Sequence, residues 1–296
     1  MPWLPRVHTP TLSRIRLGAS LAPREGVAGE LPYGDWLGSG PPVVLVPGIF
    51  SSHRALAPLA RALRKRRRVL AFDLRGRGRA PREGPFGIER HARDLWHAID
   101  ALELDRPILC GHSLGAYVVA TAGGTRPAAA AGLALLDGGL WSPAPVPVEL
   151  VHAVFADDRA RLELTFADVR EYAAHKGLEP TDDVLDELVN ELERRGTRLA
   201  PVTPVRAFDE DVASIAADTR RNRLISTAGC PVLAIRARRG IGGDPLAQMI
   251  DDATRDAGRA ELPSLRVVDI DEATHGDLVR PPHVAGVADA ILSLAP

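Results

Sequence analysis

The distribution of apolar residues predicts short buried strands that alternate with amphipathic helices. Val43–Val46 is a continuous apolar, β-branched run, as expected for a strand covered on both faces of a parallel sheet. Residues 88–102 instead place Leu95, Ile99 and Leu102 at helical spacing. The same reading predicts a hairpin ending at 33–37, strands at 69–72, 107–110, 133–136, 231–235 and 265–270, and helices at 55–63, 116–122, 246–257 and 284–294. Strands joined by helices imply right-handed βαβ units, so the fold class is α/β with a mostly parallel central sheet flanked by helices.

This alternation stops after Trp141, where a proline-rich connector covers 143–147. From about 148 to 224 the chain is charged and shows no clear strand. Residues 182–194 have the apolar spacing of an amphipathic helix, with Thr181 or Asp182 as N-cap, and weaker helices are predicted at 165–175 and 211–217. We therefore predict a helical cap over 143–228, inserted into a core formed by 1–142 and 229–296.

The charge balance gives no reason to expect nucleic acid or an anionic membrane as a partner, and the partner we expect is a small-molecule substrate. The 296 residues include 37 basic and 38 acidic side chains, for a net charge of −1. A basic run at 64–68 follows an apolar-periodic segment, which is typical of a solvated helix C-terminus.

Predictions of cellular location and cofactors depend on sequence patterns for secretion, membrane insertion and metal binding. The chain shows no signal-peptide pattern at its N-terminus and no apolar stretch of membrane-spanning length. Its two cysteines suggest neither a disulfide framework nor a zinc site. We expect a cytoplasmic monomer or homodimer without a cofactor or metal.

The most informative motif is Gly111–Gly115, which reads G-x-S-x-G between a predicted strand and a predicted helix. A serine on such a turn has strained backbone angles and an exposed hydroxyl, and the flanking glycines let strand and helix approach closely. The alternative interpretation is an ordinary strand-to-helix turn in which Ser113 caps the helix.

Four motifs fall at the ends of predicted strands: residues 43–50, 73–78, 111–115 and 269–276. In open α/β sheets, ligand sites form beyond the carboxyl ends of the strands. All four motifs are therefore expected at one edge of the sheet.

In these four motifs the chain resembles the α/β-hydrolase superfamily, within it the capped esterases and lactonases. The resemblance implies that Ser113 is the nucleophile and His275 its general base. It also implies an oxyanion hole made by the backbone N–H groups of Ile49 and Leu114. Pro47 stands where the family usually has a histidine.

The third member of the implied triad has two candidates. The family usually places this acid after the strand that begins near Pro231, and the first carboxylate there is Asp244, which we place first. A minority of members place it after the preceding strand, where Asp137 stands, so Asp137 is the alternative acid.

Other residues near these turns are assigned by their position. His112, beside the serine, is expected to form a pocket wall, and Phe50 and Trp141 are expected to contact substrate. His53 is expected either to contact substrate or to lie on the surface. Asp73 and Arg75 are expected to be structural. Since aromatic residues make up only 4% of the chain, an aliphatic pocket is expected.

The sequence thus predicts a serine hydrolase of the carboxylic-ester type, cleaving a small ester, thioester or lactone through an acyl-enzyme on Ser113. One alternative is a non-catalytic ligand-binding protein on the same scaffold. Another is a C–C bond hydrolase or perhydrolase that uses the same serine and histidine.

Overall fold

The computed structural model describes residues 22–217 and 221–294. Predictions about the first 21 residues, including the absence of a signal peptide, lie outside the described residues. The strands, in chain order, are β1 (Arg24–Ala28), β2 (Leu31–Leu37), β3 (Pro42–Val46), β4 (Arg68–Phe72), β5 (Ile108–His112), β6 (Gly132–Leu136), β7 (Leu192–Arg195), β8 (Arg198–Pro201), β9 (Val232–Ala237) and β10 (Arg266–Ile270).

The helices lie between these strands and after the last one. In chain order they are α1 (Ala57–Leu63), α2 (Ile88–Ala101), α3 (Leu114–Thr125), α4 (Val148–Val154), α5 (Ala156–Arg161), α6 (Val169–His175), α7 (Asp182–Leu188), α8 (Val205–Ala216), α9 (Arg221–Ser226), α10 (Asp252–Glu261) and α11 (Val284–Leu292).

Within the described residues, eight strands form one sheet in the order β1-β2-β4-β3-β5-β6-β9-β10. The hairpin β1–β2 and the pair β2–β4 are antiparallel, and the remaining neighbours are parallel. This confirms the predicted fold class and the predicted hairpin. Because β3 to β6, β9 and β10 run the same way, their carboxyl ends meet at one edge.

The sheet is covered on both faces, which explains the continuous apolar run in β3. Val44 and Val46 pack into the layer that contains α2 and α3, whereas Val43 and Leu45 pack into the layer that contains α1 and α11. Successive side chains of a strand point to opposite faces, so a strand buried on both sides has no polar face.

An insertion between β6 and β9 contains α4 to α9 and the antiparallel hairpin β7–β8. The predicted helix over 182–194 is therefore too long. It ends at Leu188, and Leu192 already lies in β7, whose backbone hydrogen bonds go to β8 across a turn with Gly196 at φ 62°. The predicted N-cap is confirmed, because the Thr181 side chain accepts a hydrogen bond from the Val184 N–H.

Helix α3 packs very closely against β5 and β3. A Cβ added at Gly111 would lie 2.0 Å from the Gly115 carbonyl oxygen, and one at Gly115 would lie 2.1 Å from the Val46 carbonyl oxygen. Backbone atoms block both positions, so only glycine fits there. The two glycines of the motif therefore set the distance between helix and sheet.

We expect Gly115→Ala to lower the free energy of unfolding by roughly 1–3 kcal/mol or to prevent folding, because the added methyl group overpacks against backbone. Urea unfolding measures the change. The control is Gly286→Ala in α11, where an added Cβ meets nothing within 4 Å. There alanine should stabilise the helix by about 0.5–1 kcal/mol. A Gly115→Ala protein as stable as wild type would contradict this account.

Candidate active site

Ser113 lies at the junction of β5 and α3 with backbone angles of φ 56° and ψ −121°. A positive φ is strained for a residue with a side chain, so the surrounding structure must hold it. One stabilising contact is a hydrogen bond of 3.0 Å from the Ser113 N–H to the Leu136 carbonyl at the end of β6. The Ser113 side chain makes no capping hydrogen bond to α3. Ser113 is therefore not the ordinary helix cap of the alternative interpretation.

A cavity of about 470 Å³ lies above Ser113. The sheet core and the insertion both line it, and most of the lining is aliphatic, as the low aromatic content suggested. The core contributes Ile49, Leu114, Tyr117 and Leu140, and the insertion contributes Val151, Phe155, Val212, Ile215 and Ala216, among others. A volume of this size lies in the lower part of the range for small-molecule sites.

His275 is paired with Asp137. The ring Nδ1 lies 2.7 Å from Asp137 Oδ2, and the second carboxylate oxygen accepts a hydrogen bond of 3.2 Å from the Ala237 N–H. Asp137 is fully buried, and the His275 N–H donates to the Gly240 carbonyl at 2.9 Å. A carboxylate on Nδ1 fixes the tautomer that leaves Nε2 free to accept a proton.

Ser113 and His275 are both described in the structure, and the Ser113 hydroxyl makes no hydrogen bond to the His275 ring. Catalytic hydrogen bonds are commonly long or poorly aligned before substrate is bound and then tighten. The geometry of this pair therefore does not argue against a role for His275 as base.

Asp244, which the sequence analysis placed first as the acid, is not the partner of His275. Its exposed carboxylate accepts a hydrogen bond of 2.9 Å from the Leu246 N–H, and it lines the cavity. The chain after β9 turns through Gly240 and Gly242, both at positive φ, and this carries Asp244 away from the histidine. Asp137 occupies the position instead, because the end of β6 and the loop of His275 meet across the end of β9.

Two backbone N–H groups at this edge have no acceptor within the described residues. Leu114 is the first residue of α3, so its N–H has no intrahelical partner, and the Ile49 N–H makes no hydrogen bond to another described residue. Both residues line the cavity with Ser113. The predicted oxyanion donors are thus brought together with the serine.

His112 lies against the loop of His275 and is absent from the described cavity lining. The two imidazole rings stack with centroids 4.8 Å apart, and His112 Nε2 donates to the His275 carbonyl oxygen at 2.9 Å. Burial, and then the nearby charge of His275, lower the pKa of His112 to about 3, so its ring is neutral. It supports the histidine loop and does not form the predicted pocket wall.

The two aromatic residues assigned to substrate have different positions. Trp141 lines the cavity, packed edge-on against Tyr117, and its backbone is held by the Asn222 side-chain amide. Phe50 lies behind the lining, where it stacks on Phe208 with ring centroids 5.3 Å apart.

His53 is not at the substrate site or on the surface. It is fully buried, and its Nδ1 lies 2.9 Å from Asp73, which also accepts from the N–H groups of His53 and Arg79. Burial alone would lower the pKa of His53, but the hydrogen bonds and charges of Asp73 and Glu25 outweigh it and raise the pKa to about 9. Asp73 is structural, as predicted, and so is Arg75, which pairs with buried Asp94 at 2.9 Å.

Sequence reasoning missed the part of α8 that lines the cavity. Val212, Ile215 and Ala216 face it at helical spacing. The spacing was a usable signal, but nothing in the pattern distinguishes a cavity wall from a closed core.

The model of the α/β-hydrolase fold family matches residues 41–279. This match, with the sheet order and the serine turn, shows that the chain belongs to the α/β-hydrolase fold family.

Similar proteins include several hydrolases. Esterase YbfF of Escherichia coli (strain K12) is 36% identical over 78 residues, which cover 26% of this chain and 31% of the esterase. The sn-1-specific diacylglycerol lipase ABHD11 of Xenopus laevis is 32% identical over 120 residues, 39% of this chain and 38% of the lipase. The matched segments thus span about a third of each curated relative.

Among solved structures, E-2-(acetamidomethylene)succinate hydrolase superposes with a TM-score of 0.76 at 22% identity, covering 92% of this chain and 98% of the other. A thioesterase domain from the curacin biosynthetic pathway superposes with a TM-score of 0.70 at 16% identity, covering 91% and 98%. At these identities the structures show the shared fold. Together with the family, the named relatives support a hydrolase.

No helix of the described residues is both long and apolar enough to cross a membrane. The cytoplasmic location, the monomeric or dimeric state and the absence of a cofactor stay predictions.

We expect the free energy of unfolding to fall between pH 6.5 and 9, because the pKa of His53 is raised in the folded state. Stability from such a group is complete below its ordinary pKa of 6.5 and is lost as the pH rises through about 9. At about 1.4 kcal/mol per pKa unit, the loss is on the order of 3 kcal/mol. Urea unfolding across this range measures it. His53→Gln should lack this part of the decline, and parallel curves for the two proteins would contradict the assignment.

Proposed function

We propose that the protein is a serine hydrolase of carboxylic esters, thioesters or lactones, with Ser113 as nucleophile, His275 as general base and Asp137 as acid. One observation carries the proposal. Buried Asp137 and half-buried His275 form a hydrogen-bonded pair at the same strand edge as the strained serine, which lines an apolar cavity. Asp137 replaces Asp244 in the proposed triad because it is hydrogen-bonded to His275.

In the proposed first half-reaction, Ser113 Oγ attacks the carbonyl carbon while His275 Nε2 takes the hydroxyl proton. Asp137 stabilises the resulting imidazolium through Nδ1 and remains ionised. The negative charge develops on the former carbonyl oxygen, where the N–H groups of Ile49 and Leu114 stabilise it. Collapse of this intermediate expels the alcohol, thiol or lactone oxygen, which receives the proton from His275.

In the second half-reaction, water attacks the acyl group on Ser113, and His275 removes a proton from that water. A second oxyanion forms at the same two N–H groups. Its collapse releases the carboxylic acid and returns the proton from His275 to Ser113 Oγ. The neutral His112 ring beneath His275 adds no second positive charge next to the imidazolium.

We also propose that residues 143–228 act as a cap over this site. Support comes from the cavity lining, to which α4 and α8 of the insertion contribute. A wall carried by a separate insertion excludes bulk water from the reacting carbonyl, which strengthens electrostatic stabilisation there.

The proposal predicts that a fluorophosphonate probe labels the protein at Ser113 and that short-chain p-nitrophenyl esters are hydrolysed. Ser113→Ala should abolish both, because the alanine has no oxygen to form the covalent bond. Mass spectrometry of the labelled peptide locates the adduct. An unlabelled wild-type protein that leaves the esters intact would favour the non-catalytic, ligand-binding alternative.

Within the same assay, Asp137→Asn should lower kcat by roughly 10³–10⁴-fold, because an amide on Nδ1 favours the wrong tautomer of His275. Asp244→Asn is the matched control and should lower kcat less than about tenfold, because Asp244 is exposed and does not contact the histidine. The reverse order of the two losses would return the acid to Asp244.

A further inference from the structure

The cavity above Ser113 opens onto an apolar rim. Four large apolar side chains that are exposed in the described residues also line it: Val146, Leu150, Val154 and Leu246. Leu246 is 94% exposed. Exposed apolar side chains gathered at one opening mark a surface that contacts an apolar ligand.

Charge at the cavity is of one sign. In the described lining, the charged side chains are those of Asp244 and Asp251. Asp251 Oδ1 accepts the Thr254 N–H as the N-cap of α10, and Asp244 Oδ1 accepts the Leu246 N–H. Both carboxylates repel an anionic substrate, and no described lining residue provides a cation to bind one.

We propose that the substrate carries an uncharged aliphatic acyl chain, which extends from Ser113 along the cavity past α8 towards the apolar rim. This inference rests on the proposed function. It goes further by excluding short polar acyl groups and dicarboxylates as preferred substrates. Each methylene that enters the cavity leaves water for an aliphatic wall, so affinity for the transition state grows with chain length until the cavity is full.

The test is the hydrolysis of p-nitrophenyl acetate, butyrate, hexanoate and octanoate, with kcat/KM measured for each. We expect kcat/KM to rise by about fourfold per added methylene, the factor that corresponds to ~0.8 kcal/mol per buried CH₂. Mono-p-nitrophenyl suberate, an ester of octanoate length that ends in a carboxylate, should be hydrolysed more slowly than the octanoate. A flat or falling series, or a preference for the suberate, would overturn the inference.

Two variants of α8 locate the chain. Ala216 lines the cavity, whereas Ala213 on the same helix is exposed and outside the lining. Ala216→Phe should lower the octanoate-to-acetate ratio of kcat/KM by roughly tenfold or more, the effect of displacing two or more methylenes, and Ala213→Phe should leave it unchanged. Ala216→Leu gives a smaller obstruction if the phenylalanine variant fails to fold. Equal ratios in the Ala213 and Ala216 variants would overturn the proposed path of the chain.

Failure of this inference is distinguishable from failure of the proposed function. A protein labelled at Ser113 that shows no chain-length dependence keeps the hydrolase and loses the acyl-chain preference. A protein that is not labelled loses both.

A second inference rests on a separate observation, a buried charge network centred on Arg77. The Arg77 side chain is fully buried; its Nε donates to the Ile49 carbonyl oxygen at 2.9 Å and its Nη1 to the Arg75 carbonyl oxygen at 3.1 Å. Nη1 also lies 2.6 Å from Asp211 Oδ2, and Asp211 is fully buried too. Arg77 therefore connects the turn of Ile49 to an acidic residue of α8.

Asp211 extends the network to α2. Its Oδ1 accepts the Gly87 N–H at 2.7 Å and lies 2.9 Å from Nε2 of buried His91. The next residue along α8, Val212, lines the cavity. The Arg77–Asp211 ion pair thus links the part of α8 that lines the cavity to the turn that carries Ile49.

We infer that Arg77 is a positioning residue for the oxyanion hole. The Gly48–Ser51 turn is closed by the Ser51 N–H on the Gly48 carbonyl at 3.2 Å, and Arg77 holds the Ile49 carbonyl within it. With that carbonyl fixed, rotation about the Ile49 backbone is restricted, so its N–H keeps its direction. Like the first, this inference rests on the proposed function.

Arg77→Lys tests it, because lysine keeps the charge beside Asp211 but lacks the planar fork that reaches Ile49 as well. We expect kcat to fall by roughly tenfold or more with KM little changed, since the loss is confined to the transition state. The control is Asp209→Asn. Asp209 lies on α8, like Asp211, and its ion pair with Arg159 of α5 does not reach the turn of Ile49. This substitution should leave kcat unchanged.

The double variant Arg77→Met with Asp211→Asn separates positioning from stability. It removes both buried charges and keeps an oxygen for the Gly87 N–H. The midpoint of thermal unfolding should therefore lie closer to the wild-type value than that of either single variant, which leaves one buried charge unpaired. The kcat value should stay low, because the Ile49 carbonyl has lost its donor. If kcat recovers together with stability, Arg77 is structural only and the inference is overturned.

Discussion

The close approach of α3 to the sheet is the constraint on which the site depends. Backbone oxygens stand where side chains at Gly111 and Gly115 would have to lie, so the helix packs at a distance that no other residue permits. Ser113 stands at this junction in its strained conformation, and Leu114, the first residue of α3, lines the cavity with an N–H that has no intrahelical partner. The strain is offset by the packing of α3, which is buried along nearly its whole length between the sheet and its neighbours.

The site is assembled from strand ends that are far apart in the chain. Asp137 follows β6, His275 follows β10, and the two meet because β9 alone separates these strands in the sheet. The Ala237 N–H at the end of β9 holds the second oxygen of Asp137. Strands β6, β9 and β10 thus all contribute to this arrangement. The buried carboxylate has a partner on both oxygens, as a charge removed from water requires.

The insertion is tied to this edge by charge as well as by apolar packing. Its helix α8 presents Val212 to the cavity and, one residue earlier, Asp211 to Arg77. Separating this buried ion pair would leave each charge without a partner, which is costly. The cavity wall and the turn of Ile49 therefore keep a defined relative position, which apolar contacts alone would specify less sharply.

The sequence by itself determined the fold class, the position of most strands and the strand-to-helix turn that carries Ser113, because apolar periodicity and glycine-flanked turns are local properties. Tertiary structure decided the rest. Asp137 and Asp244 each follow a predicted strand, and only the tertiary structure shows that Asp137 contacts His275 while the loop after β9 places Asp244 elsewhere. Leu192 fitted a helical period yet belongs to β7, because pairing with β8 satisfies its backbone. His53 was expected at the substrate or on the surface and His112 in the pocket wall, but their neighbours in space, Asp73 and the loop of His275, place both elsewhere.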